Sequence, residues 1–156
     1  MKICLFNVTS TMAQIGSAEV GGVEAYTFRL GEALLQRGHQ VVLYGGRPKE
    51  KIPFPPSQIP LRLFPHMETS KIPDLGTRFQ RLIQRVHFAW SARHDFFGGG
   101  FDAILIFKPY DFVTAWFWRK RGVRARIVAS LHGEEFYPCD HFFASRCGGI
   151  DAIYAV

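Results

Sequence analysis

Two adjacent glycines, in the segment Gly21-Gly22-Val23-Glu24, stand between a polar stretch and a helical pattern. Glycine has no Cβ, so a backbone turn built from it can approach a ligand closely. A helix that begins there points unpaired N–H groups and a partial positive charge at the same place, which suits a phosphate. The pair therefore predicts a phosphate-binding turn. The alternative is that the glycines merely make a tight turn.

A second candidate is the histidine of the segment His132-Gly133-Glu134-Glu135. An imidazole can hydrogen-bond a hydroxyl group or shuttle a proton near neutral pH, and a neighbouring carboxylate, Glu134 or Glu135, could orient the ring. The alternative is a loop histidine that is satisfied by the backbone.

Other ligand classes are disfavoured by spacing. The dinucleotide pattern Gly-x-Gly-x-x-Gly is absent, and Leu43-Tyr44-Gly45-Gly46 contains no acid for a ribose hydroxyl. The Walker pattern is absent as well. Residues of metal-ligating type occur at His132, Cys139, Asp140, His141 and Cys147. Their spacing fits no common zinc pattern, so no metal site is predicted.

Basic and aromatic residues occur together in two predicted helices. The helix predicted from Pro73 onward carries Arg78, Arg81 and Arg85 on one face. The helix predicted over residues 110–121 carries Trp116, Trp118, Arg119, Lys120 and Arg121. Such a combination suits an interface with anionic lipid. The alternative is a solvated basic face beside core tryptophans. The net charge of +6 also permits nucleic acid, but no nucleic-acid motif is present and none is predicted as a partner.

Length and composition indicate one globular domain of 156 residues, 47% apolar and 21% charged. Three cysteines are too few for a disulfide framework. No signal peptide and no long apolar span are visible. We therefore expect a cytoplasmic protein that is soluble or attached peripherally to the inner face of the membrane.

Apolar runs and helical periodicity alternate along the chain. Strands are predicted over residues 2–8, 40–44, 61–64, 101–107, 126–131 and 151–156. Helices are predicted over residues 23–37, from Pro73 onward, over 110–121 and around 141–147. Gly45-Gly46 is expected to stop the second strand. The helix after Pro73 is expected to bury the stripe Leu75, Phe79, Leu82, Ile83, Val86 and Trp90.

This order predicts an α/β fold with a doubly wound, mostly parallel, Rossmann-like sheet covered on both faces. Ligands bind such sheets at the carboxyl ends of the strands, near the switch point. The functional loops are therefore expected at residues 9–22, 108–111 and 132–140. The chain ends inside an apolar strand, which indicates a truncated domain of a longer protein.

Five segments, taken in order, resemble the N-terminal domain of a GT-B glycosyltransferase of the retaining family 4, also called group 1. They are MKICLFNV, GGVEAYTFRLGEALLQRGHQVVLYGG, FDAILIF, IVASLHGEEF and DAIYAV. The first two are the more specific, because a Gly-Gly-Val/Ala-Glu turn opens a long helix that ends in Arg-Gly-His-x-Val. The resemblance covers nearly the whole of residues 1–156, which would be the acceptor-side domain.

The resemblance implies that Gly21 and Gly22 lie against the donor diphosphate and the acceptor, and that His132 contacts the donor sugar as the catalytic residue. The donor nucleotide would be held by a second domain with a Glu-x7-Glu motif, which this sequence lacks. Transfer would be metal-independent and retaining, with a nucleotide sugar as substrate and no cofactor. The chain alone would then be inactive.

Six further positions are predicted to bind substrate: Glu24, Lys108, Tyr110, Gly133, Glu134 and Glu135. Many family members carry His-x-His after the fourth strand, where this chain has Phe107-Lys108-Pro109-Tyr110-Asp111. Lys108 could meet an anionic acceptor (glycan, lipid or small molecule) instead. Two other functions remain open: a non-catalytic module that binds a nucleotide or phosphosugar, and a membrane-surface interaction domain.

Overall fold

The computed structural model describes residues 1–7, 22–46, 58–65, 67, 69–98, 100–132 and 145–155. Within these residues, the chain forms six strands and four α-helices. The strands are β1 (Lys2–Phe6), β2 (Gln40–Gly46), β3 (Leu61–Phe64), β4 (Ala103–Ile106), β5 (Arg126–Leu131) and β6 (Ala152–Ala155). The helices are α1 (Gly22–Gln36), α2 (Thr77–Ser91), α3 (Arg93–Phe97) and α4 (Asp111–Lys120).

All of these strands are parallel and form one sheet in the order β3-β2-β1-β4-β5-β6. Strand β1 is central, because Leu5 pairs with Leu43 of β2 on one side and with Leu105 of β4 on the other. The strand order reverses between β1 and β4, which makes this the switch point of a doubly wound sheet. The predicted α/β fold class is confirmed.

Two cores lie on opposite faces of the sheet, since neighbouring side chains on a strand point to opposite sides. Ile3 and Leu5 of β1 pack in the cluster that contacts α1. Cys4 and Phe6 pack in the larger cluster with residues of α2, α3 and α4. Apolar residues on both sides of each inner strand explain why these strands read as continuous hydrophobic runs.

Strand β2 is longer than expected. Gly45 and Gly46 do not stop it, because they pair with Leu63 and Phe64 of β3. The expected end was wrong: a parallel partner satisfies the backbone of both glycines and overrides their low strand propensity.

Helix α2 begins at Thr77 and not at Pro73. The side chain of Asp74 accepts a hydrogen bond from the N–H of Gly76 at 3.3 Å, and Gly76 has a φ of 95°, which a helix cannot contain. Pro73 and Leu75 therefore belong to the turn that precedes the helix.

The buried face of α2 also differs from the predicted stripe. Leu75, Val86 and Trp90 are 69%, 41% and 52% exposed. Arg85, Phe88 and Ala89 are buried instead. The helix is rotated because Arg85 has an ionic partner inside the protein, which a hydrophobicity pattern cannot reveal.

Several expectations concern residues outside those described. They are the loop at residues 9–21, residues 133–140 of the loop at 132–140, and residues 141–144 of the short helix around 141–147. A 3-10 turn occupies Cys147–Gly149, and β6 follows it.

Candidate functional site

The N-terminus of α1 lies at the carboxyl edge of the sheet, beside the switch point. Gly22 is the first residue of the helix and is exposed. Its φ is not positive, and a Cβ added to it would meet no described atom within 4 Å. The fold of the described residues therefore does not require glycine here, and the close approach of a ligand would be a reason for it. Glu24 follows in the first turn and is half-buried.

A buried polar contact fixes this helix end to β1. The side-chain amide of Asn7 donates to Thr27 Oγ1 at 3.1 Å, and Thr27 Oγ1 donates to the carbonyl of Val23 at 2.7 Å. Asn7 and Thr27 are fully buried. Asn7 Oδ1 has no hydrogen-bond partner among the described residues. Neither Asn7 nor Thr27 was predicted as a site residue, although a polar residue at the end of a buried strand was a signal for this pair.

His132 lies directly after β5 and contacts α1. Its ring packs edge-on against Tyr26, with centroids 4.4 Å apart and an interplanar angle of 66°. Phe107, at the end of β4, lies 6.4 Å from both rings. Tyr26 lies four residues after Gly22, so the fold places His132 against the N-terminal part of α1.

Hydroxyl groups extend from His132 along the sheet edge. His132 Nε2 and Ser130 Oγ are 3.1 Å apart. Ser130 pairs with Tyr154 in the β5–β6 register, and the two side chains hydrogen-bond. The hydroxyls of Tyr154 and Tyr26 lie 3.2 Å apart. One imidazole and three hydroxyls therefore form a hydrogen-bonded chain, which we call the His132 chain.

The pKa of Tyr154 is raised above its ordinary value. Burial is the main cause, the hydrogen bond with Ser130 works in the opposite direction, and the hydrogen bond with Tyr26 adds to the increase. The phenol is therefore protonated at neutral pH and can donate. Neither Ser130 nor Tyr154 was predicted, because their roles depend on strand register.

The loop after β4 carries Lys108 and Tyr110, and contacts of Asp111 fix its position. The N–H of Asp111 donates to the carbonyl of Lys108 at 3.0 Å. The carboxylate of Asp111 is fully buried and accepts two hydrogen bonds from Arg85, both of 2.6 Å. Lys108 and Tyr110 are half-buried beside this ion pair. Position 108 thus sits on a rigid turn at the same sheet edge as His132.

The remaining site candidates, Gly21, Gly133, Glu134 and Glu135, lie outside the described residues. Among the residues that are described, no group of three or more His, Cys, Asp or Glu side chains could hold a metal ion.

The predicted basic and aromatic surface is wrong at three positions. Arg85 and Trp118 are buried. Arg119 bonds the carbonyls of Gly149 and Val123 and the carboxylate of Asp151, so it links α4 to the segment before β6. These side chains face the protein because they have partners or neighbours there.

Two exposed tryptophans, one of them the predicted Trp116, have cations above their rings. Trp90 is 52% exposed beneath the guanidinium of Arg93, at 4.5 Å. Trp116 is 39% exposed beneath Lys120 and Arg146, at 5.8 and 5.5 Å. We call Trp90, Trp116 and these three cations the aromatic–basic patch. The two longest helices in the described part of the chain have 15 residues each, so neither is long enough to cross a membrane.

Two solved structures share this fold. Sucrose-phosphate synthase from Thermosynechococcus elongatus is 15% identical, with a TM-score of 0.67 over 97% of this chain. MurG from Acinetobacter baumannii is 14% identical, with a TM-score of 0.56 over 99% of this chain. Both are GT-B glycosyltransferases. This chain spans 41% of the length of each.

No curated protein matches the sequence significantly. The model of the family described as Glycosyltransferase Family 4 matches residues 20–154. That range includes the α1 turn, the loop after β4 and the His132 chain. The chain is a glycosyltransferase module with the N-terminal half of a GT-B fold, and it belongs to glycosyltransferase family 4.

Proposed function

We propose that this chain is the acceptor-side domain of an enzyme that transfers a sugar from a nucleotide-sugar donor to a glycan, lipid or small-molecule acceptor. The observation that carries the proposal is the contact between Tyr26 of α1 and His132, 4.4 Å between ring centroids. A helix N-terminus suited to phosphate and a group suited to sugar hydroxyls are adjacent, as transfer from a sugar diphosphate requires.

Each side chain has a role in this proposal. The diphosphate approaches the open space in front of Gly22, where N–H groups and the helix dipole stabilise its charge. His132 hydrogen-bonds the donor sugar, and Ser130 holds its Nε2. Lys108 and Tyr110 meet the acceptor, with Lys108 supplying charge for an anionic one. Glu24, in the first turn of α1, binds an acceptor hydroxyl.

A second, donor-binding domain completes the enzyme in this proposal. The chain spans 41% of each solved GT-B neighbour, and its own site is open on the side of Gly22. The residues described here supply one wall of a cleft, and the chain alone is inactive. The transfer retains the anomeric configuration and needs no metal or cofactor.

The test uses the longest protein that includes this sequence, incubated with a panel of labelled nucleotide sugars. We expect transfer or slow donor hydrolysis with at least one donor, unchanged by a chelator, and a product with the donor's anomeric configuration by NMR. The 156-residue chain should show neither reaction. A complete two-domain protein that neither transfers nor hydrolyses any donor would overturn the proposal.

A variant pair assigns the activity to the site. His132→Ala should lower kcat/KM by about a hundredfold or more, because it removes the imidazole from the sugar. His94→Ala is the matched control, since His94 is an exposed histidine on α3, outside the site. Equal kcat/KM values for the two variants would mean that His132 takes no part in the reaction.

The aromatic–basic patch supports a second candidate function, attachment to an anionic membrane surface. Exposed tryptophans beneath Arg93, Lys120 and Arg146 combine apolar area with positive charge. Arg78 and Arg81 of α2 and Arg121 after α4 are also exposed and add positive charge to the surface.

Co-sedimentation with vesicles tests this attachment. We expect binding to phosphatidylcholine vesicles that contain phosphatidylserine and little binding to phosphatidylcholine alone. The double variant Trp90→Ser/Trp116→Ser should lose most of the binding, whereas Arg29→Ala, an exposed position on α1, should keep it. Equal binding to both kinds of vesicle would contradict the candidate function.

A further inference from the structure

A cavity lies at the amino ends of β1, β4 and β5, at the opposite edge of the sheet from His132. Its volume is about 810 Å³. It is lined by Phe97 of α3, by Phe101 and Asp102 before β4, by Gly122 and Arg124 between α4 and β5, and by Arg126, the first residue of β5. A volume of this size is typical of a small-molecule site.

Arg124 and Arg126 give the cavity its charge. Both are exposed, and neither guanidinium has a hydrogen-bond or ion-pair partner among the described residues. The backbone between them and β4 is fixed, since the N–H of Arg126 donates to the carbonyl of Asp102 at 2.9 Å. Arg85 and Arg119, by contrast, are both occupied by carboxylates.

Asp102 is the one carboxylate among the residues described as lining the cavity. It already accepts a hydrogen bond from the N–H of Lys2 at 2.7 Å. With the two arginines, the side chains that line the cavity therefore carry one net positive charge. The ammonium of Lys2 lies 5.1 Å from the centre of the Phe101 ring and adds a further cation beside the cavity.

Aromatic rings form a rigid wall of this cavity. The ring of Phe96 stacks on that of Trp118, with centroids 4.4 Å apart, and its centroid lies 5.8 Å from that of Phe101. Phe97 is 37% exposed at the cavity and contacts Phe117 at 6.3 Å. An exposed phenylalanine on a rigid aromatic base is suited to contact with an apolar or aromatic group.

We propose that this amino-edge cavity binds a phosphate group carried on an apolar body. Arg124 and Arg126 would bind the phosphate, because guanidinium groups match phosphate oxygens in geometry and charge. Phe97 and Phe101 would contact the apolar part. The site is separate from the proposed sugar-transfer cleft, because the two lie at opposite ends of the strands.

The experiment titrates the ¹⁵N-labelled chain with phenyl phosphate, and separately with inorganic phosphate and benzyl alcohol. We expect saturable shifts of the amide signals of Gly98, Gly122 and Val123 with phenyl phosphate, and weaker binding of each partial probe. Arg124→Ala and Arg126→Ala should each weaken binding by about fivefold or more, consistent with loss of a charge-assisted hydrogen bond. Arg29→Ala should bind as the unchanged chain does.

Vesicles distinguish the two sources of such a phosphate. If the natural ligand is a lipid, phosphatidylcholine vesicles containing phosphatidic acid should bind the chain, and Arg124→Ala/Arg126→Ala should reduce that binding even with Trp90 and Trp116 intact. If it is a soluble compound, phenyl phosphate alone should bind at these arginines. Unsaturable shifts, or equal binding by the double variant and Arg29→Ala in both arms, would overturn the proposal. Neither result depends on sugar transfer.

Discussion

Arg85 and Asp111 form a buried ion pair with two hydrogen bonds of 2.6 Å, which ties the middle of α2 to the first turn of α4. Asp111 is fully buried and Arg85 nearly so. The same aspartate contributes its N–H to the carbonyl of Lys108, so the pair also fixes the loop that carries a predicted acceptor residue.

Removing one partner should therefore destabilise the chain strongly. Arg85→Ala leaves a buried carboxylate without its cation, and we expect the free energy of unfolding to fall by about 3–5 kcal/mol. Arg81→Ala, one turn earlier and exposed, should change it by less than about 0.5 kcal/mol. Urea unfolding followed by circular dichroism measures both. A similar decrease in the free energy of unfolding for the two variants would mean that the ion pair contributes little to stability.

Two buried threonines on different helices make a second comparison. Thr27 Oγ1 accepts from Asn7, whereas Thr114 Oγ1 has no partner among the described residues. Thr27→Val should cost about 1–3 kcal/mol, because it leaves the buried amide of Asn7 unpaired. Thr114→Val should be neutral or stabilising, because it removes a polar atom that has no described partner. Thermal and urea unfolding compare the two, and the reverse order of stabilities would refute this account.

Gly149, in the 3-10 turn before β6, lies against the backbone of α4. A Cβ at this position would come within 2.6 Å of the backbone nitrogen of Trp116, which cannot move without disturbing the helix. Gly149→Ala should therefore cost about 1–3 kcal/mol through overpacking. A Cβ added to the neighbouring Gly148 would meet no described atom within 4 Å, so Gly148→Ala is the control. Equal melting temperatures for the two variants would contradict the close approach.

Stability at alkaline pH depends on two buried groups of the sheet, the Tyr44 phenol of β2 and the Cys4 thiol of β1. Burial raises the pKa of Tyr44 well above its ordinary value, and the hydrogen bond that it donates to Asp95 at 2.6 Å raises it further. Burial likewise raises the pKa of the Cys4 thiol. In the folded chain both groups resist ionisation, so the unfolded chain releases their protons first as the pH rises.

The free energy of unfolding should thus be insensitive to these groups at neutral pH and fall above about pH 9, where the unfolded thiol and then the unfolded phenol ionise. Each group contributes a slope of up to about 1.4 kcal/mol per pH unit. Tyr44→Phe should reduce the slope above about pH 10 and cost about 1.5–3 kcal/mol at neutral pH through its lost hydrogen bond to a charged group. Urea unfolding at a series of pH values tests this, and an unchanged alkaline slope in the variant would contradict it.

The sequence predicted the sheet well, because its strands are apolar along their whole length and are separated by recognisable helices. Helix α1 was placed within a residue of its ends, since its periodic apolar positions are followed by Gly38, which adopts a φ of 79°. Helix α2 was oriented wrongly. Its burial depends on Asp111, a partner 26 residues away that local periodicity cannot register.

The candidate site was predicted in part. His132 and the glycine turn before α1 were predicted from residue type and spacing, and the fold places His132 against Tyr26, four residues after Gly22. Ser130 and Tyr154 were missed, because their contact follows from the parallel register of β5 with β6 and not from any local pattern. The sequence left Trp118 open between a lipid-facing surface and the core, because arginines and a lysine are its neighbours along the chain. Its ring fills the core against Phe96.

The central position of β1 has a consequence for biosynthesis. Ile3 pairs with Ala103, about a hundred residues further along the chain, so β1 has its second partner only after β4 has been made. At translation rates of about 5–20 residues per second, one edge of the nascent β1-α1-β2 unit waits several seconds for its neighbour. We therefore expect this domain to fold late on the ribosome, with its slowest step set by the joining of distant strands.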